Sequence, residues 1–283
     1  MLLRHLSYFA ALAREKHFAR AAAACHISQP TLSGAIASLE RELGVRLVVR
    51  GRRFVDLTPE GRLVLDGALQ LLRDEESLRH GLGNLRGGLT GALRLGVIPA
   101  AMPVVGTLLK AFCAAHPAVT VEIRSMTSKA IEQDLGAFEL DAGLTYLDNE
   151  PLRGVRRIPL YLEHYLFACP AGHPLAERSH VRWSEAANER LCLLSNNFLG
   201  ILSQLRSGGW STIVPHSFAT LFGGQPDIAL VPLIEPLHLQ SIGLVTTDRE
   251  PAPPLARALE ASARTIDFLA LDHVHDRNFL SNG

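Results

Sequence analysis

At 283 residues, with 47% apolar and 20% charged side chains, the chain has length for two or three compact lobes and is too apolar for wholesale disorder. Basic and acidic residues balance at 28 each, yet residues 1–62 hold ten Lys+Arg against five Asp+Glu and the remainder holds 18 against 23. A basic head on an acidic body fits a DNA-binding segment joined to a regulatory one.

The opening stretch MLLRHLSYFAALAREKHF is broken by Arg4, Arg14 and Lys16. It reads as an amphipathic helix over residues 2–16, with Leu3, Leu6, Phe9, Ala10 and Leu12 as its apolar face, and not as a signal peptide. No apolar run approaches the length of a membrane span. The cysteines Cys25, Cys113, Cys169 and Cys192 lack paired spacing, so an intracellular, cytoplasmic protein with reduced thiols is expected.

Residues 18–44 carry two sets of apolar side chains at helical steps. Phe18, Ala21, Ala22 and Cys25 form the first, and Ile27, Leu32, Ile36, Leu39 and Leu43 the second. Two helices therefore meet at about Cys25 to Ile27. The alanine run lets another helix come close, Ser28 suits an N-cap, and Pro30 lies in the tolerant first turn. In a helix-turn-helix the first turn of the second helix faces the major groove, which puts Ser28, Gln29, Pro30, Thr31 and Ser33 at the DNA. An ordinary helical hairpin carries the same cap and proline. Beyond Gly44, VRLVV and FV flank RGRR and predict a two-stranded wing with Arg50, Gly51, Arg52 and Arg53 at its tip. Its arginines would neutralise phosphates or enter the minor groove, unless the turn is merely solvated.

The run FARAAAACHISQPTLSGAIASLERELGVRLVVR, followed by LTPEGR, resembles the N-terminal domain of LysR-type transcriptional regulators, with SQPTLS, LERELG and LTPEG in the family's order and spacing. The resemblance implies a winged helix-turn-helix, a long linker helix that dimerises, and a C-terminal α/β domain of two lobes like a periplasmic binding protein. It further implies promoter DNA, a second copy of the chain as dimer or tetramer, and a small-molecule effector as partners, with RNA polymerase a candidate. Gly34 stands where most members have a basic residue.

Thr58, Pro59 and Glu60 stack the start signals of the linker helix, expected to run to about Leu85. Its stripe comprises Leu65, Leu69, Leu72, Leu78, Leu82 and Leu85, and the resemblance makes a second copy its partner. Packing on the chain's own effector domain is the alternative. GGLTG at 87–91 is the hinge. GLGN around Gly81 and Gly83 lacks the preceding strand that a dinucleotide site needs.

From Ala92, strands and helices alternate, which marks an α/β domain. Its strand ends bring Ala100, Ala101, Ser125, Thr127, Ser128 and Thr145 to the edge where open sheets bind ligands; simple helix caps would show the same hydroxyls. Small organic acids are the first effector class to expect, since helix N-termini favour anions, and no cofactor is implied. The expected boundaries are 1–58 for the head, 59–91 for the linker, 92–270 for the effector domain and 271–283 for the tail. Lobe one takes 92–159 plus a returning C-terminal segment, and lobe two about 160–250.

Compared with the family, the stretch between LCLLS and STIVP is short by roughly one helix and one strand, with the join near Gly200-Ile201. This predicts a weakened second lobe. GxSxG, Walker, HExxH and paired CxxC patterns are absent, which argues against an enzyme. The adjacent His216 and Ser217 make no catalytic pair without a third group, and Asp272, His273, His275 and Asp276 read as incidental in a terminal tail. A plain small-molecule-binding protein, or a degenerate regulator without effector response, remains the competing reading.

Overall fold

The computed structural model describes residues 2–50, 54–148, 152–192, 198–222, 225–248 and 252–268. The chain divides into two units, Met1–Leu89 and Thr90–Gly283.

In the first unit, helices α1 (Leu3–Glu15), α2 (Phe18–Ala24) and α3 (Gln29–Leu43) pack around Leu6, Phe9, Leu12, Leu32, Ile36 and Leu39, all sealed from solvent. Ala21 and Ala22 are buried where α2 meets its neighbours, which is the use of small side chains in that run. Leu3, expected on the apolar face of α1, is exposed instead, and Ala11 is buried in its stead. Strands β1 (Val48–Arg50) and β2 (Phe54–Leu57) pair antiparallel as the wing, and α4 (Pro59–Gly87) follows.

The second unit begins with strand β3 (Gly91–Val97), helix α5 (Met102–Ala115), β4 (Val119–Ser125), α6 (Ser128–Gly136) and β5 (Ala142–Tyr146). With β6 (Val155–Glu163) and β11 (Gln240–Thr247) they build a mixed five-stranded sheet in the order β4-β3-β5-β11-β6. α5 and the final helix α10 (Pro254–Arg264) pack together, and α6 packs against β3, β5 and β11. Gly143 is needed there, because a Cβ on it would come within 2.3 Å of the Ile131 side chain of α6. Asp141, just before β5, takes the backbone N–H and two guanidinium N–H groups of Arg94, which locks β3 to β5.

The other lobe has strands β7 (Tyr165–Pro170), β8 (Val181–Arg182), β9 (Thr212–Pro215) and β10 (Ile228–Ile234) in the order β8-β10-β7-β9, with short helices α7 (Trp183–Ala186), α8 (Phe198–Arg206) and α9 (Ala219–Phe222). The lobe boundaries at 159/160 and near 250 are therefore corrected. β6 runs on to Glu163 within the first sheet, and β11 lies at 240–247 between β5 and β6, so lobe two spans about 165–234. A strand's own residues do not say which sheet it joins, and YLEHYLFACP reads as continuous although His164 separates two strands in different sheets.

The short connection carries one described helix. Among the described residues of LCLLS, Leu191 bridges to Ser211, while residues 193–197 lie outside the described set. α8 then lays Ile201, Leu202 and Leu205 over Leu166, Val214 and Phe222.

Candidate nucleic-acid interface and effector junction

Helix α3 starts as its cap residue Ser28 dictates. Ser28 Oγ accepts the Thr31 N–H at 3.3 Å and lies 2.8 Å from the Thr31 hydroxyl, so these two side chains serve the cap first. Gln29 and Pro30 are exposed, Ser33 is half-buried, and a Cβ added at Gly34 would meet nothing within 4 Å. The first turn of α3 thus presents Gln29 as its longest freely extending polar group, flanked by small residues. Arg41 and Arg46, which the sequence reading passed over, are exposed on the same unit and add two cations. Arg50 ends β1, and Arg52 and Arg53 lie outside the described residues.

The wing and linker are tied to α3 by groups that were legible only as motif letters. Glu40 is buried, and one carboxyl oxygen accepts the N–H groups of Leu47 and Val48 at 3.0 and 3.3 Å. Thr58 caps α4 by accepting the Gly61 N–H at 2.9 Å, donates its hydroxyl to the Arg46 carbonyl at 2.6 Å, and gives its own N–H to Leu47. Asp56 accepts the Leu57 N–H and pairs with Arg62 at 2.7 Å; the backbone bond first, and then the guanidinium, hold its carboxyl below the usual range.

Along α4 the expected dimer stripe divides. Ala68 is buried in the core of the head, and Val64, Leu65 and Leu72 are half-buried against it. Leu63, Leu71 and Leu78 are 75%, 42% and 65% exposed along the helix, Leu69 is half-buried, and the side chains of Leu82 and Leu85 lie outside the described ones. The first two of these exposed leucines were missed, because a leucine count alone does not separate two faces of one helix.

In the second unit the candidate effector residues follow adjoining strand ends, since Val97 of β3 registers with Ser125 of β4 and with Leu144 of β5. Ala101 is sealed, Thr127 caps α6 by accepting the Ala130 N–H, Ser128 is buried in its first turn, and Ser125 is exposed at the end of β4. Thr145 is 0% exposed with an unpartnered hydroxyl. Ala100 is half-exposed, and its carbonyl accepts the Ser217 hydroxyl at 3.1 Å across the lobe junction. Aromatic and titratable groups gather at that junction. The His164 and His216 rings stack at 4.1 Å, Tyr161 meets His216 edge-on, and the Tyr165 hydroxyl donates to Gln240 at 2.7 Å. The Tyr146 hydroxyl donates to Glu163 at 3.0 Å, and burial pushes that phenol well above its ordinary range.

Comparison with known proteins decides what this arrangement belongs to. Residues 3–62 match the model of the bacterial regulatory helix-turn-helix protein, lysR family, and residues 86–199 match the LysR substrate binding domain. A probable hydrogen peroxide-inducible genes activator of Mycobacterium xenopi is 38% identical over 180 residues, covering 63% of this chain and 95% of the relative. The chain belongs to the LysR family. A full-length OxyR variant from Pseudomonas aeruginosa shares its architecture with a TM-score of 0.70 at 26% identity, covering 93% of this chain and 95% of that one. CbnR in complex with its target DNA, at 22% identity and a TM-score of 0.62 over 94% of this chain and 99% of that one, bears on the fold alone. As a LysR-family member the chain is a transcriptional regulator with a DNA-binding head and an effector-binding domain. The match to the effector-domain model ends at residue 199, beside the Gly200-Ile201 join. Among the described residues no helix is long and apolar enough to cross a membrane, and no cluster of three or more potential metal ligands occurs. The Asp272 to Asp276 tail lies outside them.

Proposed function

We propose that this LysR-family regulator binds promoter DNA in the cytoplasm as a homodimer or a pair of dimers, reading bases through the first turn of α3. The observation that carries the reading is the geometry of that turn: Ser28 and Thr31 close the cap, and Gln29 is left exposed with no bulky neighbour before it. An amide side chain at this place can contact an adenine edge bidentately, and the wing arginines Arg50, Arg52 and Arg53 would hold phosphates. The exposed leucines Leu63, Leu71 and Leu78 of α4 supply the face for a second copy. The effector acts at the junction of the two lobes, shifting a balance between two arrangements that the linker helices pass to the heads. No cofactor takes part. A small organic acid is proposed as effector, with the N–H groups of the first turn of α6 as its anchor.

The names of relatives support a second reading, response to peroxide. Peroxide attacks thiolates. Burial raises the Cys169 thiol to about 11 and also pushes Cys25 up, so a peroxide response would fall on the exposed Cys113 or the half-buried Cys192.

The test is a mobility-shift titration with DNA upstream of the protein's own gene against a scrambled duplex of equal length. Gln29→Ala is expected to abolish the preference while weak non-specific binding persists; unchanged operator affinity would refute the assigned role. Arg52→Ala is expected to weaken binding to both duplexes and to lower the salt slope by about one. For peroxide, the same titration after oxidation should change in the wild type and not in the Cys113→Ser, Cys192→Ser double variant.

A further inference from the structure

Both connections between the lobes converge on one carboxyl group. β6 ends at Glu163 and β7 begins at Tyr165, so His164 alone carries the chain from one sheet to the other. The chain returns through residues 235–239 to Gln240, whose register partner in the β11–β6 ladder is Glu163. Glu163 is 0% exposed, its Oε2 accepts the Tyr146 hydroxyl, and its Oε1 has no partner.

Every element at the junction brings titratable groups, of which Tyr146 and Tyr165 act on Glu163 directly. β5 brings Tyr146, β6 its own Tyr161, and the crossing His164. β7 brings Tyr165, whose ring stacks on His238 of the returning segment at 5.8 Å. The turn at residues 216–218 brings His216, whose Nδ1 accepts the His164 N–H at 3.2 Å, and Asp148 accepts the N–H of Ser241 next to Gln240. None of these neighbours is a lysine or arginine. Among the described residues no lysine or arginine pairs with Glu163, so its ionised carboxylate has the Tyr146 hydrogen bond alone, whereas the neutral acid forfeits at most that one bond. Burial accordingly raises the proton affinity of Glu163, to about 7, against the lowering effect of the Tyr146 hydroxyl. The carboxyl is too well sealed for a small molecule to reach with the lobes as they stand, and a proton is the occupant that needs no cavity.

We propose that Glu163 is a proton-operated switch of the lobe junction, neutral in the closed arrangement and, once ionised, driving the crossing strands apart until water reaches Oε1. Its effect on transcription rests on the regulatory reading above; the switch itself does not.

The junction contains its own reporter. The Trp183 indole N–H donates to the Pro236 carbonyl at 3.0 Å in the returning segment, and its ring meets Tyr165 edge-on at 5.8 Å. The other tryptophan, Trp210, lies under the Arg190 guanidinium and is removed by Trp210→Phe. In the full-length chain with that replacement, Trp183 emission titrated from about pH 5 to about pH 9 should show a one-proton transition centred near 7, with loss of an un-ionised carboxyl stretch in the infrared difference spectrum. Glu163→Gln, which keeps the shape and cannot ionise, should remove both signals and hold the low-pH emission throughout. Tyr146→Phe deletes the one donor to Oε2 and should move the midpoint upward. A transition that survives in Glu163→Gln, or a midpoint unmoved in Tyr146→Phe should the glutamine variant not fold, overturns the proposal. No readout uses DNA, so failure here leaves the DNA-binding reading standing, and failure to bind an operator leaves the switch standing.

Discussion

At the scale of single residues, Gly61 sets where the linker helix can begin. A Cβ there would sit 2.1 Å from the Leu47 carbonyl oxygen, a backbone atom that cannot rotate away. Gly61→Ala should therefore destabilise the head by about 2 kcal/mol or more, despite the helix propensity of alanine. Urea unfolding of the full chain checks this, and a wild-type midpoint would show that α4 can shift without cost. The LTPEG letters were legible as a helix start, but the carbonyl fourteen positions earlier was not, since only the folded wing brings it there. Glu163 makes a second case. Its proton affinity rises on folding from the ordinary 4.5 to about 7. Its stabilising share is thus complete below about pH 4.5, declines as pH rises, and is lost above about 7, a difference on the order of 3 kcal/mol. Between about pH 4.5 and 7, unfolding of the wild type should become easier with a steeper slope than that of Glu163→Gln; parallel slopes would remove Glu163 from the pH dependence.

At the scale of elements, helical periodicity located α4 and left the faces of its surface undivided. Leu65 and Leu72 recur at the right steps and pack half-buried against the head's core, while Leu63, Leu71 and Leu78 are exposed. Spacing identifies a face only relative to a partner, and the sequence did not name the partner. Leu78→Asp should dissociate the dimer, seen by light scattering, and leave the unfolding midpoint of the head nearly intact. Leu72→Asp should instead destabilise the head by about 1 kcal/mol or more, because it sets a charge against the apolar core on which Leu72 packs. Equal behaviour of the two variants would erase the distinction between the faces. α8 is the one helix described in the shortened connection, and its Ile201, Leu202 and Leu205 pack on the core of that lobe.

At the scale of the whole molecule, the break at Leu89/Thr90 separates a basic DNA-binding unit from an acidic regulatory one. Residues 1–89 alone should dimerise and bind DNA with no response to effector or pH, and residues 90–283 alone should keep the Trp183 transition. Loss of that transition in the isolated unit would mean that the linker takes part in the junction. The head, its caps, its wing and the alternation of strands and helices were determined by the sequence itself, because caps, helical periodicity and turn residues act over a few positions. Which strands share a sheet, where the chain leaves one lobe for the other, and the meeting of Glu163 with Tyr146 and Gln240 were decided only by the tertiary structure. β6 and β7 are separated by one residue and β11 returns more than seventy positions later, so no local preference distinguishes their partners. Burial, which raises the Glu163 proton affinity, exists only once those distant strands have closed around it.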